Sequence, residues 1–157
     1  MDVRKNPYKF YMQKIDKNGN AIEDTPKDLE KDFDGLRYTK CEGLDKIGTP
    51  KNIYTEDYSD ADRLRVHIPE NVTNSETEIT LTLYFFGLDR RKVYNDFCEY
   101  IRQGFTRYWD DAREKYFDFY VAKDIDTANE QWYGNIPYLH AEFKLQNIYG
   151  KTFDVDW

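Results

Sequence analysis

The chain has 157 residues and a formal net charge of −7 at pH 7, with 23 Lys and Arg against 30 Asp and Glu. This length corresponds to one domain, and the acidic balance argues against a protein whose whole surface binds phosphate backbones, since such surfaces are basic. Aromatic residues make up 17% of the chain. Disordered segments contain few aromatic residues, so we expect a folded core rich in rings, with tyrosine hydroxyls at its edge.

The N-terminal part contains one strand-like segment, residues 8–15, followed by an Asn-Gly turn within residues 16–20. Asn-Gly favours a tight turn because both residues tolerate positive φ. The turn also begins like a calcium-binding loop, but Ala21 and Lys27 stand where that loop needs glycine and glutamate. A hairpin turn is therefore the favoured interpretation.

Residues 23–34 are strongly charged and contain Pro26. This composition predicts either a short helix over residues 26–31 or an exposed, mobile connection. We therefore expect residues 1–35 to contribute a peripheral strand and a flexible segment, ahead of a β-core over residues 36–157.

Apolar and polar residues alternate through most of the remaining chain. Strands are predicted at residues 36–41, 63–68, 78–86, 116–121 and 138–146. Alternation with a period of two is typical of antiparallel strands that bury one face. The side chains expected on the buried face include Ile79, Leu81, Leu83, Phe117, Phe119, Leu139, Ala141, Phe143 and Leu145.

One segment, residues 89–104, has helical spacing instead. Between Asp89 and Phe105, apolar side chains recur at three- and four-residue steps, at Val93, Tyr94, Phe97, Cys98, Ile101 and Phe105. Asp89 is placed to cap the first turn and Gly104 to end the helix. The predicted fold is a single domain over residues 1–157, mainly β (α+β), an antiparallel β-sandwich or barrel with one flanking α-helix.

The sequence contains no recognisable catalytic, phosphate-binding or metal-binding motif. His67 and His140 fall on the polar faces of their strands, away from any nucleophile or ligand pattern. The densest acidic runs, residues 57–62 and 110–111, are typical of solvated surface. We therefore expect no enzyme activity, no catalytic residue, no metal and no cofactor.

Cys41 and Cys98 do not form a CxxC pair, and we expect both to be reduced and buried or half-buried. The N-terminus has no apolar stretch after its charges, so a secretory signal is not expected. The longest apolar run, residues 83–86, is far shorter than a membrane span.

Three stretches of the chain carry a family resemblance. They are residues 48–56 (GTPKNIYTE), 78–87 (EITLTLYFFG) with 94–101 (YNDFCEYI), and 108–116 (YWDDAREKY) with 144–150 (KLQNIYG). Together they resemble the tail proteins of long-tailed bacteriophages and their prophage remnants, of the tail-tube or distal-tail type. The likeness lies in the arrangement of a strand, a single helix and further strands.

The resemblance implies a tail-tube-like fold whose subunits form a ring or tube around a DNA-passing channel. It implies as partners further copies of the chain, commonly six, and other tail proteins, with only transient, non-specific passage of DNA. The implied location is the virion tail, after synthesis in the cytoplasm of a bacterial host. Tube, distal-tail, terminator and connector roles all stay open.

If the chain forms rings, residues 23–34 and 42–62 are expected to pack poorly in an isolated subunit and to be ordered by a neighbour. Within the second segment, Ile53, Tyr54 and Tyr58 are apolar or aromatic residues in an acidic loop. We expect these three residues to be interface anchors.

The alternative function is a stand-alone β-sandwich binding module for carbohydrate or protein. Exposed tryptophan rings bind sugars by stacking, which makes Trp109, Trp132 and Trp157 the residues of interest. Packing in the core or at its rim is the favoured interpretation for Trp109 and Trp132.

Overall fold

The structure is a computed structural model that describes residues 10–51, 54–56, 65–67, 73–111 and 113–155. Its strands are β1 Phe10–Ile15, β2 Lys27–Asp28, β3 Leu36–Glu42, β4 Tyr54–Glu56, β5 Arg65–His67, β6 Thr77–Phe86, β7 Phe105–Asp110, β8 Lys115–Tyr120, β9 Asn129–Tyr133, β10 Ile136–Asn147 and β11 Phe153–Asp154. Its helices are α1 Leu29–Asp32 and α2 Arg90–Arg102.

Nine of these strands form one antiparallel sheet in the order β2-β1-β7-β8-β10-β6-β3, with β11 added to β8 and β9 added to β10. The remaining strands, β4 and β5, pair with each other. The fold is therefore mainly β, as the alternation predicts. The longest ladder joins β10 to β6 from Tyr138↔Phe86 to Asn147↔Thr77.

The large sheet is strongly curved. β1 and β3 lie five strand positions apart, which would separate them by about 24 Å in a flat sheet. The rings of Phe10 on β1 and Tyr38 on β3 nevertheless lie 5.2 Å apart. Between them, β8 and β10 pair only through Gln146↔Tyr120 and Asn147↔Phe119. The sheet thus encloses its own apolar face.

The alternation of β6, β8 and β10 is confirmed in the core. Val121, also predicted to face inward, lies just beyond β8 and is half-buried against the core. The other predicted inward residues of these strands are buried: Ile79, Leu81, Leu83, Phe85, Phe117, Phe119, Leu139, Ala141, Phe143 and Leu145. Because successive side chains of a strand point to opposite faces, this single register places the complete apolar set inside.

Helix α2 covers one side of this core. The Phe97 ring packs edge-on against the Phe143 ring at 5.1 Å and against the Phe33 ring at 5.5 Å. Gly104, with φ +62°, follows the helix as predicted. On the outer side of α2, Asn95, Glu99 and Arg102 are exposed. Of the predicted apolar stripe, Phe97 and Ile101 are buried, and Val93 is partly buried against the core.

Two details at the ends of α2 differ from prediction. Asp89 makes no side-chain capping bond, because its φ of −94° and ψ of 18° are not the extended conformation that a capping side chain needs. Phe105, assigned from its spacing to the helical stripe, begins strand β7 instead.

The segment of residues 23–34 is better packed than expected. It forms β2, which pairs with β1, and then α1, which begins at Leu29 rather than at Pro26. Leu29 is fully buried, and Phe33 packs against the core. The expectation of poor packing is therefore wrong here, because two apolar side chains four residues apart attach the segment to the core.

Strand β7 was not predicted, and its composition explains why. Its buried side chains are Thr106, Tyr108 and Asp110, two of which are polar, so no apolar alternation marks it. Asp110 and Asp111 are buried, which corrects their assignment to solvated surface. The Asp110 carboxylate accepts the backbone N–H of Arg113 at 3.1 Å and lies 3.5 Å from its guanidinium, which compensates for burial of the charge.

Candidate functional site

The most exposed apolar side chains of the described sheet lie at the tip of the hairpin formed by β9 and β10, residues 129–140. Trp132 is 65% exposed, Tyr133 77% and Ile136 53%. Leu88, in the turn between β6 and α2, is 99% exposed. Single exposed apolar residues are common, but a group of large ones on one element indicates a contact surface.

A two-residue turn forms the tip. Gly134 adopts φ +62°, a conformation that glycine accepts without strain, and Tyr133 pairs with Ile136 across the turn. Every residue of β9 is exposed. Because neither face of β9 is buried, its sequence carries no apolar alternation, and sequence reasoning missed the strand.

The register of the hairpin distributes its apolar side chains over both faces. Trp132 pairs with Pro137, which shares the core-facing side of β10 with Leu139. Tyr133 pairs with Ile136, on the opposite, outer side. The tip therefore presents apolar surface in two directions.

The outer side continues into an aromatic row, which we define as Tyr84, Phe86, Tyr138 and His140. The Tyr84 ring lies 5.0 Å from Tyr138 and 5.2 Å from His140, and Phe86 lies 5.3 Å from Tyr138. The Tyr138 hydroxyl donates to Gln131 Oε1 at 2.9 Å. These cross-strand contacts fix the base of the hairpin while its tip stays uncovered.

An ionic contact orients the hairpin against α2. Glu130 accepts hydrogen bonds from the guanidinium groups of Arg90 and Arg91, the latter at 2.7 Å. The hydrogen bond from Arg90, followed by that from Arg91, lowers the pKa of the Glu130 carboxyl. Because the carboxylate lies at the surface, the contact serves orientation more than stability.

Of the three predicted interface anchors, only Tyr54 belongs to a described strand. Ile53 and Tyr58 lie outside the described residues, as does the acidic run 57–62. Tyr54 belongs to β4, where it pairs with His67 of β5, but the description of both residues extends to the backbone alone.

Other candidate residues are placed more clearly. His140 is half-buried in the aromatic row, and no group of three or more metal-ligating side chains occurs in the described ranges. Cys41 and Cys98 are free, and buried and half-buried respectively, which confirms the prediction. Burial raises the pKa of the Cys41 thiol to about 12, so this cysteine is not a reactive nucleophile.

The tryptophans differ in their exposure to solvent. Trp109 is half-buried beside the Tyr116 ring at 6.5 Å, as the packing interpretation requires. Trp132 is exposed, so that interpretation is wrong for it; it lies on β9, beyond the edge of the core. Trp157 lies outside the part of the chain that is described.

No family model and no curated protein matches the chain. Neither helix of the described ranges combines the length and the apolar character needed to cross a membrane.

Proposed function

We propose that this protein is a structural subunit of a phage tail or tail-like assembly, which self-associates into a ring or tube around a DNA-passing channel. The observation that carries the proposal is the β9–β10 hairpin, which exposes Trp132, Tyr133 and Ile136 at its tip. The proposed role is structural rather than enzymatic and uses no cofactor.

Contact with a partner would stabilise the hairpin. Two paired strands are only marginally stable in water, and each exposed apolar side chain gains free energy when another surface removes it from solvent. Aromatic residues with a polar edge, such as Trp132 and Tyr133, are enriched at protein contacts. We therefore expect the tip to contact the surface of another protein subunit.

The free edge of β9 offers a second mode of contact. Within the described ranges, β9 pairs with β10 alone, and its five residues are exposed. An open edge presents unpaired backbone N–H and C=O groups, to which another strand can add. A neighbouring subunit that covers this edge would extend the sheet from one copy to the next.

The two-sided exposure of the tip favours a ring over a simple dimer. A two-fold dimer uses the same patch on both subunits, whereas a head-to-tail contact uses two different patches on each. Trp132 and Tyr133 lie on opposite faces of β9 and provide two such patches. Head-to-tail contacts close into rings when the rotation between subunits allows it.

Charge and resemblance support the wider context. A net charge of −7 reduces adhesion to a DNA backbone, which is useful in a channel through which DNA slides. The resemblance of residues 36–153 to phage tail proteins adds other tail proteins as partners. On the same ground, the location that we propose is the virion tail, after synthesis in a bacterial cytoplasm.

The test is the assembly state as a function of concentration. Light scattering and negative-stain microscopy of the wild type should detect rings or short tubes, and Trp132→Ala should weaken assembly at least about tenfold, since contact aromatics contribute about 2 kcal/mol or more. Ile22→Ala is the matched control, since Ile22 is 66% exposed on another part of the chain. A wild type that stays monomeric at every accessible concentration contradicts the proposal.

The exposure of Trp132 also favours the second candidate, a stand-alone module that binds carbohydrate. A solvent-facing indole can stack on a sugar ring in a monomeric protein. A glycan array on the dilute monomer separates the two functions: glycan binding that Trp132→Ala abolishes, without concentration-dependent assembly, supports the module.

A further inference from the structure

A cleft lies at the far end of β10 from the hairpin tip. Its volume is about 700 Å³, and it is bounded by the turn of residues 16–20, strands β7 and β8, and the chain from Ile148 to Phe153. Small-molecule sites commonly occupy about 300–1,000 Å³. The size of the cleft therefore suits a small ligand.

The cleft is positively charged although the protein is acidic. Among the described residues, its charged lining consists of Lys51, Arg107 and Lys151 against a single carboxylate, Asp118. The two lysines are exposed. Since Asp118 compensates only one of the three cations, the cleft attracts anions.

Arg107 is held in a fixed position at this site. Its Nε and Nη2 atoms donate to the two carboxylate oxygens of Asp118 at 2.7 and 3.0 Å, and Nη2 also donates to Gly19 O at 3.1 Å. Asp118 is 2% exposed. Among the described residues no acceptor is assigned to Arg107 Nη1, which leaves this end of the guanidinium available for a ligand.

Aromatic rings form the second component of the cleft. The Tyr116 and Phe153 rings stack at 5.3 Å, and Tyr149 lies edge-on to Phe153 at 5.7 Å. The Arg107 guanidinium lies 4.8 Å from the Tyr116 ring, and Lys151 Nζ lies 5.1 Å from the Phe153 ring. Tyr149 is 43% exposed and can offer its ring to a ligand.

Neutral polar groups complete the lining. Asn18, Thr73 and Asn74 contribute side-chain amides and a hydroxyl, which can donate and accept hydrogen bonds. A ligand with several donors and acceptors around a planar ring matches these groups. Cations, aromatic rings and amides are thus combined in one cleft.

We propose that this cleft binds a small anion joined to a planar heterocycle, of the nucleoside monophosphate class. The phosphate contacts Lys51, Lys151 and the free end of Arg107. The base stacks on Tyr149 and hydrogen-bonds to the amide side chains. This site is separate from the hairpin and does not depend on the assembly proposed above.

The test compares three probes by calorimetric titration of the full chain at low salt: a 5′-nucleoside monophosphate, the corresponding uncharged nucleoside, and inorganic phosphate. The nucleotide should bind at least about fivefold more tightly than either fragment, because stacking and charge pairing both contribute. Raising the salt concentration should weaken nucleotide binding, since the contacts with the lysines are exposed.

Two variants at exposed positions test the assignment without disturbing the core. Lys151→Ala and Tyr149→Ala should each weaken nucleotide binding at least about threefold. Lys92→Ala is the charge-matched control, since Lys92 is an exposed lysine on α2 outside the cleft, and it should bind like the wild type.

Several results would overturn the proposal. One is the absence of nucleotide binding at millimolar concentration, and another is phosphate or nucleoside binding as tight as the nucleotide. An equal loss of nucleotide affinity in the Lys92→Ala control would show that the protein attracts the nucleotide non-specifically through its surface charge. Much tighter binding of a single-stranded oligonucleotide would show that the cleft binds a nucleic acid rather than a small ligand.

Discussion

The two ends of β10 differ in what they leave exposed. The strand has 12 residues and spans about 37 Å from the hairpin tip to the cleft. At the hairpin end, Trp132, Tyr133 and Ile136 are apolar and uncovered. At the cleft end, Arg107 and Asp118 form a hydrogen-bonded pair within the fold.

This contrast separates two kinds of surface. A convex tip with uncovered apolar groups gains free energy only when a large partner removes it from water. A concave site with cations already positioned by internal hydrogen bonds is prepared for a small ligand, because less ordering is needed on binding. One strand thus connects a proposed assembly surface to a proposed ligand site.

The largest expected effect is a loss of global stability, which would affect the hairpin and the cleft alike. Phe143, in the middle of β10, is fully buried between the rings of Phe97 and Phe85. Phe143→Ala should lower the free energy of unfolding by about 3–5 kcal/mol, through lost burial and the cavity that remains. Denaturant titration measures this loss, and an unchanged midpoint would contradict the register of β10.

A second substitution affects the cleft end alone. Asp118→Asn leaves the partly buried Arg107 without its carboxylate and should lower the free energy of unfolding by about 2–3 kcal/mol. Asp96→Asn is the matched control, since Asp96 pairs with Lys92 at the surface, and it should change stability by less than about 0.5 kcal/mol. Equal effects of the two substitutions would show that the Arg107 pair is not structural.

A third substitution affects the hairpin end alone. Glu130→Gln removes the carboxylate that contacts Arg90 and Arg91 and should leave global stability nearly unchanged, because the contact lies at the surface. It should nevertheless weaken self-association, because the hairpin loses its fixed orientation. Sedimentation velocity measures the association constant, and an unchanged constant would show that this contact does not position the assembly surface.

The smallest effect concerns pH and the strand that leads to the turn of residues 16–20. Burial lowers the pKa of Lys14 to about 8, against a weaker opposing effect of Glu23. Between this pKa and the unfolded value of 10.5, the unfolded chain binds more protons, so stability rises with pH.

Denaturant titrations of the wild type and of Lys14→Met between about pH 8 and about pH 9.5 isolate this effect as a difference between the two proteins. Burial raises the pKa of the Cys41 and Cys98 thiols, which gives an opposite slope in this window, but that slope is common to both proteins. The stability of the wild type relative to Lys14→Met should rise across the window, and an equal pH dependence in both proteins would contradict the assignment to Lys14.

The sequence predicted the elements that bury a regular apolar face. Strands β6 and β10 and helix α2 follow directly from such patterns, because packing against the core requires them. Strand β7 buries Thr106 and Asp110, and β9 buries nothing, so neither has an apolar period to detect. These two strands contribute to the cleft and the hairpin, which is why both sites escaped prediction.

Prediction of the cleft from the sequence was difficult for a further reason. Its residues extend from Asn18 to Phe153 in the sequence. They meet because β1, β7, β8 and β11 are neighbours in the sheet and because the Pro50↔Asn74 bridge holds Lys51 beside Thr73. The exposed Trp132 was considered from the sequence as a binding residue, but its exposure depends on a hairpin that no local pattern marks. The sequence thus identified Trp132 as a candidate binding residue, but its position on an exposed hairpin depends on the strand topology.

Hydrogen exchange as a function of protein concentration tests the assembly claim most directly. Amide exchange should slow with increasing concentration in a peptide that covers residues 129–140, because a neighbouring subunit protects the β9 edge, and should stay constant in residues 115–120 of β8. Exchange in residues 129–140 that is independent of concentration, in a preparation that does form rings, would contradict the assignment of the hairpin as the assembly surface.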